Sequence, residues 1–218
     1  MANLITGGRL ILLFVVIWLI YVGNVQVITA CMLLLALVFA SDGLDGWVAR
    51  KRRSTSTFGA VFDIAGDRVV ENALWVVFAD LNVIPIWVPL LVLTRGFLVD
   101  GVRSLSYGQG MTAFGEKNMM RSALTQWLTA GRFMRALFGY AKAIGFVFLT
   151  GLVADRTMDT GGTVLGALYG QTWFVAAGWG VVWAAVALTV IRGLPVLWDA
   201  AAFLRELDRR DAREGTSA

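Results

Sequence analysis

The chain has 218 residues, of which 58% are hydrophobic and 16% are charged, and its mean hydropathy is +0.71. This composition is typical of an integral membrane protein and argues against a soluble domain. The sequence contains no histidine, which excludes histidine-based catalysis and histidine-ligated metals, and its single cysteine, Cys31, excludes an internal disulfide. Carboxylates are therefore the natural acid–base groups.

Six apolar segments follow one another along the chain, and six spans of about 20 residues fit its length. The predicted spans are residues 10–22, 25–49, 58–78, 86–107, 133–153 and 165–191. We therefore predict an all-α integral membrane fold with six transmembrane helices, an interfacial N-terminal segment and an amphipathic C-terminal tail. The predicted domain covers residues 1–195, and the tail covers residues 196–218. Part of the polar connection 108–132 is expected to form an amphipathic surface helix.

The basic residues predict how these spans are oriented. If the end of the second span faces the cytoplasm, most of the lysines and arginines lie on the cytoplasmic side, as the positive-inside rule requires. Arg156 alone lies on the far side, together with Asp80, Asp155 and Asp159. The net charge of +4 thus reflects membrane topology, and we expect no nucleic-acid partner. A single chain of this size suits a bacterial inner membrane, with the site facing the cytoplasm.

Four carboxylates interrupt the apolar segments where the second span ends and the third begins. Asp42 and Asp45 are three residues apart, and Asp63 and Asp67 are four apart, so each pair shares a helix face. Ionisable groups at membrane depth indicate a functional site by default. Two opposed acidic faces would repel each other unless one or two divalent cations lay between them. Ligation by oxygen alone suits Mg²⁺, Mn²⁺ or Ca²⁺.

The residues around these acids suggest a phosphate-bearing ligand. Arg50 lies two turns beyond Asp42, where it could neutralise a phosphate. Small residues leave room for a bulky ligand or for a close helix: Gly43, Gly46, Ala49 and Gly59. The alternative is a helix-packing cluster in which salt bridges hold the acids, with Arg68 as one partner.

The stretch from Asp42 to Asp67 resembles the signature of the CDP-alcohol phosphatidyltransferase family, D-x2-D-G-x2-A-R-x8-G-x3-D-x3-D. Each specified position is matched: Asp42, Asp45, Gly46, Ala49, Arg50, Gly59, Asp63 and Asp67. The resemblance implies an enzyme in which the hydroxyl of an alcohol displaces CMP from CDP-diacylglycerol. It also implies a homodimer embedded in membrane lipid.

The same resemblance assigns roles to the matched residues. The four aspartates, Asp42, Asp45, Asp63 and Asp67, would bind two Mg²⁺ or Mn²⁺ ions. Asp67 would also act as the general base that takes the proton of the acceptor hydroxyl. The contacts to CDP would come from Asp45, Gly46, Arg50 and Gly59.

A second group of residues is cationic and suggests an acceptor that carries a phosphate. Arg95 and Arg103 are eight residues apart on the fourth span, and Lys142 lies inside the fifth. These positions resemble an arginine pair and a lysine of phosphatidylglycerophosphate synthases, although Gly96 and Ala143 depart from that pattern. Glycerol 3-phosphate is the expected acceptor. Alternatively, the three cations pair within the membrane or extend to its surface.

Other functions remain open at this stage. The same chemistry could use inositol phosphate or an uncharged alcohol such as serine as the acceptor. A different class, a cation-coupled membrane transporter, could use the acids for cation passage. Transporters are built from repeated halves with broken helices, and the aspartate cluster is not repeated in this sequence. We therefore predict a transferase.

Overall fold

A computed structural model describes residues 2–52, 57–108, 127–128 and 131–214 of the chain. Every regular element in these ranges is a helix, which confirms the all-α prediction for the described part. The helices are α1 (Ala2–Val22), α2 (Val25–Arg52), α3 (Thr57–Asp80), α4 (Trp87–Gly108), α5 (Arg132–Thr157), α6 (Val164–Tyr169) and α7 (Thr172–Glu214). The surface helix expected within 108–132 falls largely outside the described residues.

Short polar turns separate α1 from α2 and α3 from α4, in the gaps between the predicted spans. The side chain of Asn24 accepts a hydrogen bond of 3.0 Å from the backbone N–H of Val27 and so caps the start of α2. After α3, Asn82 adopts the left-handed conformation with φ 56°, which asparagine tolerates better than most residues. The N–H of Val83 then donates to the carbonyl of Phe78 at 2.9 Å, which closes the helix end.

The C-terminal helices differ from the prediction. A single helix over 165–191 is wrong, because α6 ends at Tyr169 and α7 begins at Thr172. Thr163 caps the short α6, accepting a hydrogen bond from the N–H of Gly166 at 3.1 Å. At the other end of the chain, α7 continues through Pro195 into the predicted tail, so its helix is longer than expected. The α1 helix likewise begins at Ala2 and includes the polar N-terminal residues.

Two of the described helices are long and apolar enough to cross a bilayer. They are the 25-residue segment Phe133–Thr157 of α5 and the 28-residue segment Thr172–Asp199 of α7. Thr6–Val22 and Val25–Ala40 are also apolar but shorter. The predicted total of six membrane spans goes beyond these two helices and stays a prediction. The domain boundary at residue 195 also stays a prediction.

The first compact unit comprises Met1–Leu90 and Ala141–Ala184. Its core is centred on Phe146 of α5, which is fully buried. The Phe146 ring stacks on Phe39 and Phe78 at centroid distances of 5.8 and 6.0 Å. The Phe146 and Trp75 rings pack edge to face, with their centroids 4.8 Å apart. These aromatic contacts hold α2, α3 and α5 together, because large buried rings dominate packing energy.

The second compact unit comprises Leu91–Tyr140 and Ala185–Ala218. Val99 of α4, Phe138 of α5 and Val196 of α7 are among its buried residues. The guanidinium carbon of Arg192 lies 4.9 Å from the centre of the Phe138 ring, a cation–π contact between α7 and α5.

Candidate functional site

Three acids lie along one side of α3, at intervals of four residues: Asp63, Asp67 and Glu71. Residues four apart on an α-helix are neighbours on its surface. The first two belong to the aspartate signature, and the third was not identified as a site residue from sequence. We call these three residues the α3 acid row. Each member contacts a polar side chain from another helix of the first unit.

The α1 helix provides partners for the first two acids of the row. The hydroxyl of Thr6 donates to the carboxylate of Asp63 at 3.3 Å. The guanidinium of Arg9 donates to the carboxylate of Asp67 and forms an ion pair with it. The Arg9 side chain is 5% exposed and that of Asp67 is 49% exposed, so a buried cation holds an accessible acid.

The close approach of α1 to α3 depends on Gly66. A Cβ atom at this position would lie 2.7 Å from the Cγ2 atom of Thr6, which is closer than real Cβ contacts allow. The sequence-based prediction assigned neither Thr6 nor Arg9 to the site. Their spacing of three residues in an otherwise apolar helix was the available signal, since it places both on one face.

The α5 helix provides the partner of the third acid. The ammonium of Lys142 lies 2.7 Å from the carboxylate of Glu71, and their side chains are 18% and 9% exposed. Arg68 on α3 approaches the same Glu71 oxygen at 4.0 Å. Glu71 therefore lies between two cations. The clue in the sequence was an acid placed one turn beyond Asp67 in an apolar stretch.

The remaining signature residues are only partly described. Asp42, Asp45, Gly46 and Arg50 lie near the C-terminal end of α2, where the side chains fall outside the described part. Gly59 is half-buried near the start of α3. The convergence of four aspartates therefore stays a prediction.

The donor chemistry of the row fits part of the predicted metal site. Asp63 and Asp67 place carboxylate oxygens on one helix face, and oxygen ligands are those that Mg²⁺ and Mn²⁺ prefer. Among the side chains that the structure describes, no three acids converge as metal ligands. The two α3 aspartates thus supply at most half of the predicted ligands, and α2 would have to supply the rest.

The predicted acceptor cations lie in both compact units. Arg95 of α4 is half-buried in the second unit, where it packs on Gly193 of α7. A Cβ atom on Gly193 would lie 2.7 Å from both Cγ and Nε of Arg95. Arg103 also lies on α4, but its side chain is outside the described part. Lys142 belongs to the first unit and pairs with Glu71, so a shared pocket for the three cations stays a prediction.

Comparison with known proteins gives a family model described as CDP-alcohol phosphatidyltransferase, which matches residues 1–191. Two similar proteins are named CDP-diacylglycerol–glycerol-3-phosphate 3-phosphatidyltransferase. That of Rickettsia typhi is 31% identical over 101 residues, covering 46% of this chain and 57% of the relative. That of Treponema pallidum is 30% identical over 125 residues, covering 56% and 57%.

A third relative carries a different name. The putative cardiolipin synthase of Mycobacterium tuberculosis is 37% identical over 79 residues, covering 35% of this chain and 38% of the relative. The chain spans about half the length, or less, of these curated relatives.

Proposed function

The chain belongs to the CDP-alcohol phosphatidyltransferase family, and on that premise we propose that it transfers the phosphatidyl group of CDP-diacylglycerol to a small alcohol, releasing CMP. The observation that carries the proposal is the complete aspartate signature between Asp42 and Asp67. The geometry of its second half supports it, because Asp63 and Asp67 share one face of α3 and Asp67 is accessible.

The proposed reaction is a displacement at the phosphorus that carries the diacylglycerol. The acceptor hydroxyl oxygen forms a new bond to this phosphorus, and the bond to the bridging oxygen of CMP breaks. Asp67 takes the proton of the hydroxyl, and CMP leaves with the bridging oxygen and its electron pair. The half-exposed Asp67 carboxylate can reach the hydroxyl proton, as a general base must, and Arg9 fixes the direction of its side chain.

The signature residues would bind and orient the donor. The carboxylates of Asp42, Asp45, Asp63 and Asp67 would hold one or two Mg²⁺ or Mn²⁺ ions, whose chemistry there is to neutralise the charge of the diphosphate. Asp45, Gly46, Arg50 and Gly59 are proposed to contact CDP. Two of these residues are glycines, which allow the nucleotide to approach the helix backbone closely.

Glycerol 3-phosphate is the acceptor that we propose, giving phosphatidylglycerophosphate. Two of the similar proteins are named for this acceptor. Arg95, Arg103 and Lys142 are proposed to bind its phosphate, because cations stabilise a phosphorylated acceptor and would add little for an uncharged one.

The setting of the reaction is part of the proposal. We place the chain in a bacterial inner membrane with six spans, the site facing the cytoplasm, and a homodimer as the assembly. The two apolar helices α5 and α7 and the bacterial relatives support a membrane location. CDP-diacylglycerol would enter from the lipid, and the acceptor would arrive from the cytoplasm.

The test is CMP release by the purified protein with CDP-diacylglycerol and Mg²⁺ or Mn²⁺. The acceptor panel holds glycerol 3-phosphate, inositol phosphate, inositol, serine and choline. Phosphatidylglycerol is added because one relative is named for cardiolipin. Release that depends on glycerol 3-phosphate supports the full proposal. Release with another acceptor keeps the reaction but overturns the acceptor, and no release by folded protein with any acceptor overturns the reaction.

A further inference from the structure

The ion pair between Glu71 and Lys142 links the acid row to the proposed acceptor site. Glu71 continues the row one turn beyond Asp67, and its carboxylate holds the Lys142 ammonium at 2.7 Å. Both residues belong to the first compact unit, and both side chains are largely buried. Removing two charges from water offsets much of the attraction between them, so such a pair is weak evidence for stabilisation.

The position of the pair relative to Asp67 suggests a role beyond stability. Asp67 and Glu71 are four positions apart on the helix, a rise of about 6 Å along the α3 axis. In glycerol 3-phosphate, five bonds separate the free terminal hydroxyl oxygen from the phosphorus, a span on the order of 6 Å when extended. The spacing of the two acids along α3 is thus comparable to the length of the acceptor, so glycerol 3-phosphate lying along α3 with its hydroxyl at Asp67 would bring its phosphate near the Glu71–Lys142 pair.

The charge of the cluster also suits a phosphate. Arg68 and Lys142 approach the same Glu71 oxygen at 4.0 and 2.7 Å. Glu71 thus holds two cations close together, and cations are the groups that bind a phosphate. Without Glu71 the two cations would repel each other, and the long Lys142 side chain would lose a close ionic contact that helps to fix its direction.

We propose that Glu71 is a positioning residue that determines acceptor specificity, because it holds Lys142 where the phosphate of the acceptor binds. This inference rests on the proposed function, in which Lys142 contacts that phosphate. Glu71 itself is not expected to touch the substrate. It acts through Lys142, so its effect must disappear when the lysine is absent.

A double-mutant cycle tests this dependence. Glu71→Gln, Lys142→Met and the double variant are compared for the KM of glycerol 3-phosphate, the KM of CDP-diacylglycerol and the thermal midpoint. Glu71→Gln is expected to raise the acceptor KM at least tenfold while the CDP-diacylglycerol KM changes less than twofold. In the Lys142→Met background, Glu71→Gln is expected to add no further rise. Asp159→Asn, an exposed acid before α6, is the control and should change neither KM.

Other outcomes separate the two proposals. If the acceptor KM is unchanged or lower in Glu71→Gln but raised in Lys142→Met, the positioning role of Glu71 is overturned. The acceptor role of Lys142 then still stands. An unchanged acceptor KM in Lys142→Met overturns the acceptor role of the lysine and the inference with it. Equal rises in both KM values with a lower thermal midpoint make the pair structural and also overturn the inference.

Losing one partner of a buried ion pair is strongly destabilising, so a single variant could fail to fold. A double variant in which the two residues are exchanged keeps the test decisive in that case. The variant with Glu71→Lys and Lys142→Glu retains both charges. It is expected to regain part of the lost thermal midpoint, because the ion pair is restored while Arg68 faces a second cation on α3. It is also expected to keep the raised acceptor KM, because the ammonium is now attached to α3. A normal acceptor KM in this variant would overturn the positioning role.

Discussion

The guanidinium of Arg9 on α1 donates to the carboxylate of Asp67 on α3, and the two residues are 58 positions apart in the chain. Arg9 is buried and lies outside the aspartate signature, whereas Asp67 is the last residue of that signature. The N-terminal helix thus orients the carboxylate that we propose as the general base. This contact makes α1 part of the candidate site.

Replacing Arg9 should reduce turnover. In Arg9→Ala the Asp67 side chain loses its buried partner, and a misplaced catalytic group can cost about 100-fold in rate. We expect kcat for CMP release to fall by that order, while the KM of CDP-diacylglycerol changes little. Arg9→Lys keeps the charge but not the planar fork and should recover part of kcat. A wild-type kcat in Arg9→Ala would show that the contact has no catalytic role.

Gly66→Ala should separate α1 from α3. The new methyl group would lie 2.7 Å from the Cγ2 atom of Thr6, so either the Thr6 side chain or one of the two helices must shift. We expect a stability loss of about 1–3 kcal/mol, measured by thermal or denaturant unfolding, and a parallel fall in kcat. Gly7→Ala is the matched control, because a Cβ atom on Gly7 has nothing within 4 Å. If both variants behave alike, the tight approach at Gly66 is not what positions the site.

Asp67→Asn should abolish turnover and largely preserve binding of CDP-diacylglycerol. The amide is similar in shape to the carboxylate but cannot accept the proton of the acceptor hydroxyl. CMP release and equilibrium binding of the CDP-lipid measure the two effects separately. Asp80→Asn at the other end of α3 is the control and should retain turnover. Substantial activity in Asp67→Asn would rule out the base assignment.

Arg95→Ala should raise the KM of the acceptor far more than that of CDP-diacylglycerol. Loss of one charge-assisted contact to phosphate corresponds to at least about a tenfold change, or about 1.4 kcal/mol. Steady-state kinetics with each substrate varied in turn give both values. Arg135→Ala, which removes an exposed arginine of α5, is the control. Equal rises in the two KM values would instead mark Arg95 as structural.

Gly193→Ala should reproduce the effect of Arg95→Ala without removing a charge. Its methyl group would lie 2.7 Å from Cγ and Nε of Arg95, so the arginine side chain must move. We expect a raised acceptor KM, measured as before. Gly180→Ala on the same helix has open space around its new methyl group and should be neutral or slightly stabilising. An unchanged acceptor KM in Gly193→Ala would separate the packing of Arg95 from its function.

The sequence alone determined the helical class, the breaks between spans at residues 23–24 and 79–85, and the spacing that places Asp63 and Asp67 on one face. These features are local, since periodicity and turn residues act over a few positions. The division between α6 and α7 was missed because the apolar pattern continues across Gly170 and Gln171. Gly170, which forms the C-cap of α6, was the overlooked sign.

Only the tertiary structure decided which side chains meet the acid row. Arg9 lies 58 residues from Asp67, and Lys142 lies 71 residues from Glu71. A helical pattern shows which residues share a face, but it does not show which helix packs against that face. Packing made that choice, through the space left by Gly66 and through the aromatic core around Phe146 that holds α5 against α3.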